Sequence, residues 1–473
     1  MSFREWTFVG FTGKRKLPHP EKIEQAISEA LDLIADHTGS PLAAVSSAAS
    51  GADTLFIEES LKRDLPWTLL LPFHEGEFQK DFTAEEWTRT KPLLPRAVRR
   101  VVEHDSEDRD HAFLESGLRT VDECDVVLAV WDGEPGLTGG TGGVIDYARE
   151  VKRPLVIIDL NTGKITTERI PDRAEAHSDL TPPALLEDES TGFAAVEKLY
   201  RYHDAEANRH RPWAQSLGMS IIWLHQIATV VAIIGLLWHD PKMLGEIAGW
   251  TKMGLLLIAV VISTWVAHRV NNAGIHHRMQ AELLRAAMAV WPLPDPERLF
   301  FSRQFPGFVR LQRSLLLHRL LHPPEAHSRE ELKADYLVNR ISGQTAYYSR
   351  AAERALNGVK IWRRAANTLT ITAVIAALTV SLHLIHVDSL LYPFVKLASL
   401  ALPLASAALL AGITARDMAR RAVRYSQLSS SLHLAQTRLV RSESMKGLES
   451  TIYQTERNLL LEVWEWFQIS QFG

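Results

Sequence analysis

The sequence holds a single cysteine, Cys124, so no disulfide can form within the chain. A reducing compartment is the natural setting for its soluble parts. Basic charge is also in short supply, because the formal net charge is -4. No global positive field draws the chain to nucleic acid, which is not expected as a partner. Residues Met1 to Trp6 lack the basic-then-apolar layout of a signal peptide. The N-terminal part is therefore expected to stay in the cytosol. Metal-ligand spacing is missing as well. His268, His276 and His277 have no supporting carboxylate or cysteine set, and snorkelling or interfacial histidines explain them better. Neither a metal nor a cofactor is expected.

What is present falls into two materials. The chain has 473 residues, 46% of them hydrophobic and 23% charged. That average resembles a soluble protein, yet the long apolar runs all lie in the second half. The first 200 or so residues alternate short apolar runs with helical patterns. Apolar runs begin at Thr7, Leu42, Thr68, Asp125 and Leu155. Between them, Ile23, Ile27, Leu31 and Ile34 form a helical stripe after Pro20. Continuous apolar strands between helices predict a parallel sheet covered on both faces. The polar, proline-bearing stretch 162–191 reads as loop or linker.

Residues 217–238, 247–267, 369–385 and 394–413 are runs of about bilayer length. They pair across short loops as two hairpins. Arginines flank the outer ends: Arg201, Arg209 and Arg211 before the first run, Arg269, Arg278 and Arg285 after the second. Lys360, Arg363 and Arg364 precede the third, and Arg416, Arg420, Arg421 and Arg424 follow the fourth. The hairpin loops carry few basic residues. This bias places both termini and the soluble segments in the cytosol, and the chain in the inner membrane as a multi-pass protein. Trp223, Trp238, Trp250, Trp265 and Tyr392 sit near span ends, as interfacial aromatics do. His225 lies inside the first span, where an inward-facing functional role is the less favoured of its two readings. Long amphipathic helices lead into the third span and out of the fourth. The fold expected is an α/β Rossmann-like domain with a parallel sheet, followed by an all-α membrane domain with four transmembrane helices and long cytosolic helices. Its parts are 1–200, a first hairpin module 201–330 and a second hairpin module 331–473.

Three glycine-bearing turns follow strands. The richest is Asp132-Gly133 with Gly139-Gly140-Thr141-Gly142, reached through Gly136, Leu137 and Thr138 and leading into a helix. Glycines let backbone N–H groups approach an anion, and a helix N-terminus adds positive potential. A turn that only joins strand to helix is the simpler alternative. The second turn, Gly10-Phe11-Thr12-Gly13-Lys14-Arg15, offers a hydroxyl and two cations for phosphate. The third, Ser50-Gly51-Ala52-Asp53, offers a hydroxyl and backbone N–H groups, with Asp53 expected to cap the next helix. All three stand at carboxyl ends of strands, where open α/β sheets bind ligands. Gly10, Thr12, Gly13, Lys14, Arg15, Ser50, Gly51, Ala52, Asp53, Asp132, Gly133, Gly139, Gly140, Thr141 and Gly142 are the candidate ligand-binding residues. No catalytic residue is assigned. Glu58, Glu59 and Asp81 read as surface carboxylates.

On these turns, together with Leu71-Pro72-Phe73, the first 160 or so residues resemble the SLOG superfamily, the Rossmann-like group that includes the LOG nucleotide phosphoribohydrolases. The resemblance implies a site for a nucleotide or NAD-derived ligand. In place of the LOG enzymes' signature threonine and glutamate, this chain has Gly143 and Asp146, which leans against ribosyl hydrolysis. The membrane half is similar to the SLATT group, two-span effectors of bacterial conflict systems. Tyr336, Arg340, Gln344, Tyr347 and Tyr348, then Arg421, Tyr425, Leu428 and Leu432, carry that likeness. Arg278, Ala281, Glu282, Leu283, Leu284 and Arg285 carry it more loosely. Together the resemblances imply a membrane effector gated by a small nucleotide signal, acting in antiphage defence. Its expected partners are membrane lipid, further copies of itself in a homo-oligomer, and an enzyme that makes the signal. A membrane-anchored nucleotide hydrolase using Asp146, or a ligand-gated ion channel unrelated to defence, are the alternatives.

Overall fold

The computed structural model describes residues 3–102, 109–135, 139–170, 190–237, 242–299 and 306–471. Gly136, Leu137 and Thr138 of the richest turn, Trp238 at the first hairpin tip, and most of the polar stretch 162–191 lie outside the described residues. So do the side chains of Arg211, Trp265, His268 and Arg269. The chain forms two compact units. One joins Met1–Leu199 with Pro296–Glu325, the other Tyr200–Asp295 with Ala326–Gly473.

In the first unit seven strands form one sheet. They are β1 (Thr7–Gly13), β2 (Leu42–Ser46), β3 (Trp67–Leu71), β4 (Arg99–Val102), β5 (Val126–Trp131), β6 (Leu155–Asp159) and β7 (Ile165–Glu168). Their order is β4-β3-β2-β1-β5-β6-β7. All neighbours are parallel except β6 and β7. The Rossmann-like parallel sheet read from the sequence is therefore present, with an antiparallel edge strand where a linker was expected. Asp159 makes that strand possible: its Oδ1 accepts the Thr162 N–H at 2.7 Å and the Thr162 hydroxyl at 2.6 Å, folding the chain back on β6. The helices packed on the sheet among the described residues include α1 (Pro20–Thr38), α2 (Ala52–Lys62), α3 (Glu75–Phe78), α4 (Ala84–Thr90), α5 (Arg109–Glu123) and α6 (Thr141–Glu150). Val126, Leu128 and Val130 enter one buried cluster, and Val127 and Ala129 the other. This two-residue alternation, apolar on both faces, is the mark of a sheet with no solvent side. The helix after Pro20 forms as its stripe predicts, and ends where Gly39 takes φ 60° and returns its N–H to the Ala35 carbonyl.

The second unit is helical. It contains most of α7 (Gly192–Leu237) and all of α8 (Lys242–Val290). Helix α9 (Pro306–Leu321) belongs to the first unit. Then come α10 (Arg329–Asp335), a π-helical turn (Tyr336–Ser342), α11 (Gly343–Ser381), α12 (Tyr392–Ala415), α13 (Met418–Arg441) and α14 (Met445–Gln471). The Ser328 hydroxyl and Glu331 form a capping box that fixes where α10 starts. Among the described residues, four helical stretches are long and apolar enough to cross a membrane. Met219–Leu237 and Gly245–Thr264 have mean hydropathies of 2.0 and 1.7. The continuous stretches Arg329–Ser381 and Tyr392–Arg441 contain the other two. At 46 and 49 residues, α7 and α8 each run about 70 Å, far beyond a hydrocarbon core of ~30 Å. Each helix therefore extends well beyond a bilayer's hydrocarbon core. Close helix contact is made by small residues: Gly235 meets Ala248 between α7 and α8, and Gly412 and Gly358 meet Trp362 of α11 and Met418 of α13. Ser406 donates to the Ala366 carbonyl at 2.9 Å and lies 2.9 Å from the Thr370 hydroxyl, tying α12 to α11. His225 is exposed, not turned inward; its Nδ1 lies 2.9 Å from the Ile221 carbonyl of its own helix.

Helix α9 returns to the sheet as an arm. Leu317 of α9 enters the cluster with Trp6, Phe8 and Leu70. Arg310 donates to the Trp6 carbonyl at 3.1 Å and the Ser40 hydroxyl at 2.7 Å. Arg313, 4% exposed, bonds the Glu123 carbonyl and the Asp125 carboxylate. The Trp6 N–H is satisfied by the Ser314 hydroxyl at 3.0 Å. The first strand thus has its entry anchored by residues some 300 positions away in sequence.

Candidate functional site

The strand order reverses at β1, with β2 on one side and β5 on the other. Loops leaving β1 and β5 must diverge there, and the crevice they leave is the standard ligand position of an open parallel sheet. Two of the three glycine turns, those after β1 and β5, border it directly; the third follows β2.

The β1 and β2 turns are packed into one piece. The Ala52 N–H donates to the Lys14 carbonyl at 3.2 Å. Gly51 has φ 86°, and a Cβ there would collide with the Arg15 backbone, so no other residue fits without moving that turn. Helix α2 begins at Ala52 with Gly51 as its N-cap and no side-chain cap. Asp53 does not cap it, contrary to expectation. Its carboxylate is turned inward, where Oδ1 accepts the Ser46 hydroxyl at 3.1 Å and the Ser47 hydroxyl at 3.3 Å. Burial pushes this carboxyl up to about 7, against the opposing pull of those hydroxyls, of Arg15 and of the Gly13 N–H.

The β1 and β5 turns meet through Lys14 and Asp132, whose Nζ and Oδ2 are 2.8 Å apart. Partial burial disfavours charge on Asp132, but the Lys14 bond and the Glu134 N–H hold its carboxyl below the usual range. Gly139 stands against the backbone of Asp110 in the first turn of α5. Gly140 is the N-cap of α6 and offers no side chain, so the N–H groups of Thr141 and Gly142 open the helix without a side-chain cap. Thr12 and Gly133 complete the rim, half-buried and exposed respectively, and Ser50 is buried. Gly10 lies inside β1, where the missing Cβ makes room for Cys124 of α5; that is a packing role.

Four residues outside the sequence reading of the site join it. Arg15 lies over the Phe113 ring at 5.1 Å, and Arg109 lies over the Phe73 ring at 4.6 Å. The two rings meet edge to face at 5.5 Å. This stack of two cations and two rings forms a wall at the carboxyl end of β3. Glu86, the capping-box partner of Thr83, is held below its usual range first by the Thr83 N–H, and it also bonds Ser50 and faces Arg15. Phe73 had a signal in Leu71-Pro72-Phe73. The others come from helices whose patterns show no reason to single them out.

Chemically the arrangement gathers groups of the kind that suit an anion. It presents Lys14, Arg15, a helix N-terminus and an aromatic wall, with carboxylates that hold the cations in place. Asp146, the candidate acid–base group, is exposed on α6 and its ion partner is Arg149 at 3.7 Å.

The helical unit has its own buried polar cluster. Glu456 of α14, fully buried, accepts Arg340 at 2.5 Å and the Tyr336 hydroxyl at 2.8 Å. Both partners belong to the π-helical turn before α11, a form that recurs at functional sites. Between α7 and α8, Arg285 bonds the Tyr200 hydroxyl at 2.6 Å and Glu282 at 2.9 Å. His203, buried, lies 2.8 Å from His277 through their Nδ1 atoms. Tyr348 packs near Tyr425 at 5.6 Å, joining α11 to α13. Of the residues that carried the membrane-half resemblance, Tyr336 and Arg340 thus meet α14, and Tyr348 meets Tyr425.

No curated protein matches the chain. Residues 336–466, from the π-helical turn into α14, match the family model of the SMODS and SLOG-associating 2TM effector domain 1.

Proposed function

We propose that the chain is a membrane effector gated by a nucleotide or NAD-derived signal, bound at the crevice between the β1 and β5 turns. The observation that carries this reading is the Lys14–Asp132 bridge across the switch point, beside Arg15 and the uncapped start of α6. A ligand phosphate competes with Asp132 for Lys14, so binding favours a different arrangement of the two turns. Differential affinity of this kind is what shifts a population between two states. The chain passes between the two units at Leu199–Tyr200, Asp295–Pro296 and Glu325–Ala326, so the first hairpin is tied to the sheet unit at both ends. The matched effector domain supplies the output, a pore or a disrupted membrane built by several copies of the chain in the inner membrane. Antiphage defence, with a partner enzyme making the signal, follows from the company that the matched domain's name describes. Exposure of Asp146 and its pairing with Arg149 argue against the hydrolase reading.

The test is binding of NAD-derived and cyclic nucleotides to the full chain in detergent, with the solution then analysed for breakdown products. Residues 1–200 alone are the wrong object, because they leave out the arm that holds Trp6 and Asp125. Saturable binding, ligand recovered intact and a loss of at least tenfold in Arg15→Ala support the sensor. Turnover moves the answer to an enzyme. Silence across the panel removes the trigger and, with it, the proposal.

A further inference from the structure

The site described above lies in the sheet unit, and the helical unit contains a second concentration of charge that the gating argument does not use. Between Gly358 and Arg424 the only carboxylates are Asp388, in the far loop, and Asp417. Six cations gather at the near end of this hairpin: Lys360, Arg363, Arg364, Arg416, Arg420 and Arg421. Spacing of three and four residues puts the first three on one helix face. The antiparallel packing brings both groups to one level. Arg416 lies over the Trp362 ring at 5.1 Å, and Gly358 abuts Met418.

Their surroundings leave them available. Lys360, Arg363, Arg364 and Arg416 are exposed and have no carboxylate partner among the described residues. Arg420 is 76% exposed, with Asp417 at 3.8 Å. Asp417 is itself drawn closer to Arg424, at 2.7 Å. The far loop, residues 382–391, has neither lysine nor arginine.

Depth decides what these cations meet. From Leu369, where the third apolar run starts, Arg364 is five residues back, roughly 7 Å along the helix. Arg416 is three residues past Ile413, roughly 5 Å. The headgroup layer on each side of a hydrocarbon core is about 5–7 Å thick. Arg364 and Arg416 therefore fall at the phosphates, and Lys360 and Arg420 reach back to them by snorkelling. Trp362 sits at the same level, as interfacial aromatics do.

We infer that this collar is a binding surface for anionic phospholipid headgroups, selecting them over zwitterionic ones at the cytosolic neck of the second hairpin. The inference rests on the hairpin spanning a bilayer. Each cation near an anionic surface contributes about fivefold in affinity, so several acting together give a marked preference. The collar holds this end of the hairpin at a fixed depth, while the far loop, without lysine or arginine, is free of such a tether.

The experiment uses the full chain reconstituted in mixed phosphatidylcholine and phosphatidylglycerol. Lipid retained on the purified protein is then counted by mass spectrometry. Phosphatidylglycerol is expected to be enriched about tenfold, with the enrichment falling as salt is raised. It is expected to collapse in the triple variant Arg363→Gln, Arg364→Gln, Arg416→Gln and to survive in the matching lysine triple variant. Equal retention of the two lipids, or an unchanged glutamine variant, overturns the inference. Displacement by inorganic phosphate beyond that by chloride at equal ionic strength also overturns it, in favour of a free-phosphate site. Should the glutamine variant fail to fold, the native chain's salt titration and the lysine variant decide. Alkaline carbonate separates the two levels of failure. A chain released by carbonate removes the membrane reading itself, whereas a retained chain without lipid preference removes only the collar.

Discussion

Leucine behaves in opposite ways in the two units. Leu128 of β5 is 0% exposed, while Leu236 near the end of α7 is 77% exposed. Glutamate is buried in both: Glu123 of α5 is 6% exposed and Glu456 of α14 is fully buried. The sheet unit turns its apolar side chains away from water, and the charges it buries, such as Arg313 and Asp53, are held in hydrogen bonds. The helical unit leaves its apolar side chains facing outward over two hairpins and puts charge inside, where helix meets helix. The outward apolar side chains of the hairpins are what a hydrocarbon surrounding permits, since lipid gives them no reason to hide.

The largest effect that sharpens this contrast is expected at Glu456. Glu456→Ala leaves Arg340 buried without its counter-charge, at a cost of about 3–5 kcal/mol. The double variant Arg340→Met, Glu456→Leu is expected to recover most of it, because two apolar groups replace a pair that must stay dry. Thermal unfolding of the detergent-solubilised chain reads both. A double variant as damaged as the single would mean that the pair does more than neutralise itself.

Next comes the direct comparison of leucines. Leu128→Ala opens a cavity in a two-sided core and costs about 2–5 kcal/mol. Leu236→Ala removes a side chain that already faces outward, and is expected to change stability by less than about 0.5 kcal/mol in micelles. Similar losses at the two sites would break the comparison, since Leu236 would then have to be packed against another part of an assembly.

Smaller than the loss at Leu128 is a pH dependence in the sheet unit. Asp53 titrates at about 7 when folded, against 3.8 when unfolded. Its raised value means that the folded form holds the proton more tightly. Stability from this group is full below the unfolded value and is lost as pH rises through the folded one. Between about pH 6 and about pH 8 the loss is about 1 kcal/mol. Asp53→Asn is expected to flatten that slope in denaturant titrations at the two pH values. An unchanged slope would assign the dependence to another group.

Much of the sheet unit was legible from pattern alone. Continuous apolar runs flanked by helical stripes announce a parallel sheet, because only a two-sided cover allows them. The glycine turns were legible because positive φ and close backbone contact leave few substitutes, as at Gly51. The aromatic wall was not. Phe113 and Arg109 belong to a helix whose periodicity is satisfied by burial of Ala112, Ser116 and Thr120, and nothing local marks the residues beside them. Asp53 was misread for a related reason. A carboxylate after glycine at a helix start looks like a cap, and only the approach of Ser46 and Ser47 turns it inward.

By itself the sequence determined the alternation of strand and helix, the four apolar runs and the charge bias at their ends, since each depends on neighbours within a few turns of chain. Tertiary structure alone decided which surfaces meet across long separations. It sent α9 back to the sheet, where Arg313 finds Asp125, and it set Tyr336 and Arg340 on Glu456. An amphipathic helix states that it has a face to bury, but the partner for that face is fixed only when the whole chain has closed around it.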